Sequence, residues 1–245
     1  MKIALAQTKP VRGDIQKNIE NHLTLIEQAA ANGAAVIIFP ELSLTGYEPS
    51  LAKELATDVT DSRLDVFQQI SNAKHIVIGV GVPTISHEGI HITIVLFQPN
   101  TSRQMHSKKY LHADEEPFFD PGNNLTGLVI NDCPVALAIC YEISIPEHSE
   151  TAFKNGAQLY IASVAKTAKG VEKSVVQLSD IASKYGMTVL MSNSVGMSED
   201  GECSGRSSAW NNKGVLLGQL NDTGEGLLIF DTGKQACTEN YITAS

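Results

Sequence analysis

The sequence predicts an α/β fold with mixed sheets, from two patterns. A helical stretch, a glycine and a short buried strand follow one another three times, and β-rich runs separated by turns are interleaved with them. In the first unit IALAQ is a short apolar run, residues from about 14 to 31 carry helical spacing, and AAVIIF reads as a buried strand. Asn32-Gly33 lies between helix and strand, and glycine there marks a helix stop because it takes the left-handed conformation without a Cβ clash. Asn155-Gly156-Ala157 before QLYIAS and Tyr185-Gly186 before MTVLMSN repeat the arrangement. HIVIGVGVP and HITIVLFQP flank turn-like residues 84 to 89 and read as adjacent antiparallel strands; SSAWNNKGVLLGQL and GEGLLIFDT show the same habit. No low-complexity linker or composition shift marks a boundary, so one domain over 1–245 is expected.

Composition narrows the partners. A chain of 245 residues can bury a substantial core. Its formal net charge of -9 at pH 7 argues against a nucleic-acid groove or an anionic membrane surface, since both favour clustered Lys and Arg. Small molecules or proteins are the expected partners. The start, MKIALAQTKP, has only a short apolar stretch without a cleavage pattern, and no segment approaches bilayer length, which predicts a cytoplasmic protein with no membrane partner. Cys133, Cys140, Cys203 and Cys237 lack C-x-x-C spacing and are expected as free thiols.

One formal motif is a decoy. His87-Glu88-Gly89-Ile90-His91 matches H-E-x-x-H, but zinc binding needs both histidines on one helical face. A glycine inside the motif and β-rich runs on both sides predict a polar hairpin loop instead.

Three strand ends are more informative. Glu41 in Phe39-Pro40-Glu41-Leu42-Ser43-Leu44-Thr45-Gly46-Tyr47 directly follows AAVIIF. Ser107-Lys108-Lys109-Tyr110-Leu111 lies beyond HITIVLFQP, and VALAICYE carries Cys140 to a strand end before turning polar at Tyr141 and Glu142. Singly, each has an ordinary reading: a solvated loop glutamate, a solvated lysine pair, a core cysteine. In α/β folds, however, the carboxyl ends of strands reach the cleft, where a carboxylate, an ammonium and a thiol can meet.

The order of these segments resembles the nitrilase, or carbon-nitrogen hydrolase, superfamily. The similarity starts at Ala6-Gln7 and Pro10 to Asp14, peaks at FPELSLTGY, and passes through KKYL, Phe119-Asp120-Pro121-Gly122, ICYE and Pro146-Glu147. It continues to Ser192-Asn193-Ser194-Val195-Gly196 and Ser204-Gly205-Arg206-Ser207-Ser208, so essentially the whole chain is covered. The resemblance implies a four-layer αββα sandwich, assembly as a homodimer, and hydrolysis of a non-peptide C–N bond in a small amide, with no metal, nucleotide or organic cofactor. It matches Glu41 to the general base, Cys140 to the nucleophile and Lys109 to the catalytic lysine, the last because it stands directly before the aromatic-leucine pair. A second glutamate ahead of the Phe-x-Pro-Gly element falls on Glu115, with Glu116 as its rival.

The chemistry explains why these groups belong together. A thiol near its free pKa is only partly ionised at neutral pH, so a base and a cation help generate the thiolate. Glu41 would take the Cys140 proton, and Lys109 with the Tyr141 N–H would stabilise the oxyanion of a thioester-forming attack. Tyr141 and Lys166 are the candidate substrate-binding residues, Lys166 as a partner for a substrate carboxylate. Two departures weaken an omega-amidase specificity: Ser144 stands where many relatives have arginine, and residues 164–169 lack their Trp-containing pattern. Amides are favoured over nitriles, and Arg206 and Trp210 are left outside the site. The rival readings are an isochorismatase-like cysteine hydrolase, against which FPELSLTGY speaks, and a catalytically silent binding module on the same fold.

Overall fold

The structure, a computed structural model, describes residues 1–58 and 60–242. Its first half runs β1 (Lys2–Gln7), α1 (Ile15–Ala31), β2 (Val36–Ile38), α2 (Ala52–Leu55), α3 (Asp65–Lys74), β3 (Val77–Ser86), β4 (Gly89–Phe97) and β5 (Gln104–Ser107). Then follow β6 (Val129–Ile130), β7 (Cys133–Ile139), α4 (Pro146–Lys154), β8 (Leu159–Val164), α5 (Ala168–Tyr185) and β9 (Thr188–Asn193). The chain closes with β10 (Val195–Ser198), β11 (Gly201–Ser204), β12 (Ser208–Trp210), β13 (Leu216–Gln219), β14 (Gly226–Asp231) and β15 (Ala236–Tyr241).

Local chemistry sets the boundaries. The Asp14 carboxylate accepts the Lys17 N–H at 3.0 Å and caps α1. At its other end Gly33, with φ +74°, lets the chain reverse into β2. The three helix-glycine-strand units are α1–β2, α4–β8 and α5–β9. Between α3 and β3 the left-handed position is filled by His75, with φ 54°, so the same device carries no glycine there.

The strands form a seven-stranded sheet, β15-β14-β1-β2-β3-β4-β5, and a six-stranded sheet, β13-β12-β9-β8-β7-β6, with β10-β11 as a separate ribbon. Each large sheet has a parallel centre, β1-β2-β3 or β7-β8-β9, crossed over by helices and flanked by antiparallel strands. The β3–β4 pair is the antiparallel hairpin expected, and its strands run further than the sequence indicates, to Ser86 paired with Gly89.

Alternation along the strands builds the layers. Ile3, Leu5, Val36 and Ile38 of one sheet meet Leu137, Ile139, Leu159 and Ile161 of the other in a shared inner core. The intervening Ala4, Ala6, Ile37 and Phe39 face α1 and α3, while Ala138, Tyr160, Ala162 and Val189 face α4 and α5. The architecture is therefore an αββα sandwich of four layers. Buried hydroxyls tie the two sheets at their strand ends: Ser163 Oγ donates to Phe39 O at 2.8 Å, and Ser192 Oγ to Ala6 O at 2.5 Å. No described helix is long and apolar enough to cross a membrane.

Candidate active site

Glu41 is held by a tight loop after β2. Ser43 N–H donates to Pro40 O at 3.2 Å and Thr45 N–H to Leu42 O at 3.0 Å, with Leu42 itself at φ +50°. The loop lies directly on β3 at Gly81. A Cβ there would stand 2.4 Å from Pro40 O and 2.5 Å from Leu42 N, so the approach needs glycine. From the other side His22 of α1 stacks on Phe39 at 3.9 Å and hydrogen-bonds Ser43 Oγ through Nε2 at 2.9 Å. Burial lowers the His22 pKa to about 3, so the supporting imidazole is neutral.

The lysine that the structure brings to Glu41 is Lys108. It continues the β5 ladder, its N–H donating to Ile92 O at 2.8 Å and its carbonyl accepting Gly122 N–H at 2.7 Å. Its Nζ donates to Glu41 Oε1 at 2.8 Å and to Glu115 Oε1 at 2.5 Å. Glu115 also accepts the Tyr47 hydroxyl at 3.0 Å and the His112 N–H at 2.8 Å. All three charged side chains are buried. Burial opposes the Lys108 charge, but the negative charges of Glu41, Cys140 and Glu115 outweigh it, and its pKa is raised. For Glu41 burial wins over the attraction of Lys108, so this carboxyl is raised above its ordinary range.

The resemblance points to Lys109, but the structure brings Lys108 to Glu41 instead. Successive residues of an extended strand face opposite sides, so turning Lys108 inward turns Lys109 outward. Lys109 is exposed, its Nζ 5.1 Å from the Tyr110 ring centroid, and only its backbone N–H enters the interior. Of the two glutamates weighed, Glu115 is buried against Lys108 and Glu116 is exposed.

Cys140 ends β7 in the left-handed region, φ 43°, and opens a single 3-10 turn, Cys140–Ser144. Non-glycine residues adopt such angles only where the surroundings hold them. Burial and the Glu41 charge push the thiol up to about 11, against the pull of Lys166 and Lys108. Among the described residues Glu41 Oε2 is buried with no hydrogen-bond partner, and Cys140 bears on the ionisation of the same carboxylate. Lys166 follows β8, and its backbone is gripped by Asn193, with N–H to Oδ1 at 2.8 Å and Nδ2 to O at 3.2 Å. Tyr141 is half-buried with its ring edge-on to His112 at 5.1 Å. No role was legible in the sequence for Tyr47, Asn193 or Glu142; all three lie inside the motif segments, and only three-dimensional contact distinguishes them.

The H-E-x-x-H stretch spans the β3–β4 hairpin, with His87 exposed and His91 buried against Ser86 Oγ at 3.0 Å and Asp120 O at 3.0 Å. A different group, His106, Glu142 and His148, brings potential donor atoms within 4.8 Å of one another. Its hydrogen-bond polarity is wrong for a metal. Histidine ligands normally donate through the other ring nitrogen, whereas His106 Nδ1 accepts the Leu125 N–H at 3.1 Å. The other ring nitrogen, Nε2, faces Glu142 Oε2 at 3.7 Å and Asn124 Nδ2 at 3.3 Å.

Two sheets sandwiched between helices, with a carboxylate, an ammonium and a thiol at the strand ends, define an αββα sandwich with a buried polar cluster. The chain belongs to the carbon-nitrogen hydrolase family, whose model matches residues 2–239. It is 24% identical over 202 residues to an (R)-stereoselective amidase of Pseudomonas sp, covering 82% of this chain and 73% of that protein. Against the glutamine-dependent NAD(+) synthetase of Thermotoga maritima it is 24% identical over 205 residues, 80% of this chain, and spans only 36% of the synthetase. The amidase from Nesterenkonia sp. AN1 has the same fold, with a TM-score of 0.85 at 25% identity over 94% of this chain and 92% of that one. That structure is a Glu-to-Gln variant with acrylamide added at the active-site cysteine. A cysteine-to-alanine variant in complex with butyramide gives a TM-score of 0.84 at 25% identity, covering 94% of this chain and 89% of that one.

Proposed function

We propose that this chain is an amidase that converts a small amide to a carboxylic acid and ammonia through a thioester on Cys140. The observation that supports it most is the buried Glu41–Lys108–Glu115 group beside Cys140, since such a cluster is costly unless its charges are used. With the resting thiol near 11, the thiolate fraction at pH 7 is on the order of one in ten thousand, so proton removal must accompany attack. Glu41, raised by burial, is the base for that transfer.

The Cys140 proton passes to Glu41 as the sulfur bonds the amide carbon. The carbonyl electrons move to oxygen, where the Lys108 ammonium and the Tyr141 N–H stabilise them. Collapse breaks the C–N bond, and Glu41 returns its proton to the departing nitrogen as ammonia leaves. Water then attacks the thioester, giving a proton to Glu41, and the C–S bond breaks with that proton returned to sulfur. Glu115 holds Lys108 in place. Butyramide in the related amidase is consistent with a short uncharged acyl group.

Lys166, whose charge bears on Cys140, is the partner for an anionic substrate group, and Tyr141 lines the same approach. The shared inner core supports one domain over the chain. Exposed Phe153 on α4 and Val176 on α5 leave apolar surface on one outer layer, in keeping with a homodimer. Four free cysteines suit a reducing, cytoplasmic setting.

The test is ammonia release from a panel of neutral and anionic amides by the wild type and Cys140→Ala in parallel. Activity present in the wild type and absent from the variant is expected; activity that survives in Cys140→Ala rules the thioester route out. Lys166→Ala should selectively weaken hydrolysis of anionic amides, and an unchanged preference would remove Lys166 from the site.

A further inference from the structure

Glu142 lies outside the reacting group but bonds to both of the segments that supply it. Its Oε2 accepts the N–H of Ile139, the residue before Cys140, at 2.8 Å. Its Oε1 accepts the N–H of Lys109, the residue after Lys108, at 2.8 Å. These partners come from different sheets: Ile139 ends β7 of the six-stranded sheet, and Lys109 follows β5 at the edge of the seven-stranded one. Asn124 Nδ2 donates to Glu142 Oε1 at 2.9 Å and to Ser107 O at 3.1 Å, and lies 3.3 Å from His106 Nε2, tying the same carboxylate to the residue before Lys108. Glu142 is fully buried, and its charge is kept by these donors together with His106 and His148.

We propose that the Glu142 carboxylate is a positioning residue, a two-headed tether across the sheet interface that sets the spacing between the Lys108 ammonium and the Cys140 thiol. The inference rests on the amidase reading above for its activity readout, but the geometry concerns the thiol whatever the substrate. A carboxylate suits the role because both its partners are backbone N–H donors; an amide would present its own N–H₂ to one of them. Aspartate keeps the charge but is one methylene shorter, so it cannot reach both sheets. A purely electrostatic role would be served by aspartate; a tether would not.

Glu142→Gln and Glu142→Asp are compared with the wild type for kcat, KM, thermal midpoint and the rate of Cys140 alkylation by iodoacetamide, with Cys133 as an internal reference thiol. The expected result is a loss of about 10- to 100-fold in kcat in both variants, with KM within about threefold, as for a small displacement of reacting groups. Cys140 alkylation should change at least about threefold relative to Cys133, since reactivity follows the thiol's surroundings. Full activity in Glu142→Asp overturns the tether, as does a lowered thermal midpoint with kcat unchanged. If the wild type hydrolyses no amide, the amidase reading fails, and the alkylation ratio alone decides: a change in both variants upholds the tether and no change overturns it. If neither variant folds, Asn124→Ala, which leaves the carboxylate but removes one donor, is expected to lower kcat about three- to tenfold and to shift the same ratio, and wild-type values overturn the proposal.

Discussion

Adjacent lysines give the residue scale its sharpest test. Lys108 compensates two buried carboxylates, whereas Lys109 projects into solvent. Lys108→Met removes the cation and is expected to lower kcat/KM by at least about 10²- to 10³-fold, the usual loss for one oxyanion donor. Breaking a buried ion pair on one side also costs about 3–5 kcal/mol, so the thermal midpoint should fall. Lys109→Ala, measured alongside, should stay within about 0.5 kcal/mol of wild-type stability and keep most of the activity. Equal losses in both variants would contradict the assignment. The choice between these two residues was not legible in the sequence, because a lysine pair at a strand end satisfies the same spacing either way. Which one faces inward is set by the β4–β5 register, Thr93 opposite Ser107, that no short motif encodes. Glu41 and Cys140 were easier to place, since each directly follows an unbroken apolar strand.

At the scale of elements, the site depends on how closely one loop lies on one strand. Gly81→Ala would drive a methyl group into the Pro40–Leu42 backbone, which is not a flexible side chain that can move aside. A loss of about 1–3 kcal/mol is expected from such overpacking, and the Glu41 loop is the part that must shift. Hydrolysis should therefore fall by more than the loss of folded protein explains, checked by activity per folded molecule after a denaturant titration. Wild-type specific activity in the folded variant would show that Gly81 does not shape the site. Helices and strands were legible where glycine or aspartate marks an end, as at Asp14 and Gly33. The α3–β3 unit escaped because His75 occupies the left-handed position, and the β10–β11 ribbon escaped because its short strands lack a buried run.

The whole molecule is read best through its pH dependence, because its buried groups pull in known directions. His22 falls from 6.5 to about 3 on folding, so below pH 6.5 the unfolded chain takes up a proton that the folded one refuses. Its contribution is complete above 6.5 and is lost as pH falls from there toward 3. Buried His148 is also lowered and acts with the same sign. Glu142 falls from 4.5 to about 2, so its contribution is present above 4.5 and drains away as pH drops toward 2. Glu41, raised by burial, works in the opposite sense and softens the acid limb. On the alkaline side Cys140, Cys203 and Cys237 rise from 9.0 to about 11, so the unfolded chain ionises first and stability falls between those values. Stability should thus peak between about pH 6.5 and 9 and decline on both sides. Urea unfolding across that range tests it, with His22→Gln expected to flatten the slope between pH 6.5 and 4.5, the window above the Glu142 titration. An unaltered slope would mean that His22 is not the neutral buried support beneath the Glu41 loop. The four layers were foreseen only through resemblance: each strand's alternation is visible in the sequence, but which face meets the other sheet is decided by residues far apart, such as Ile38 and Ile139 in the inner core.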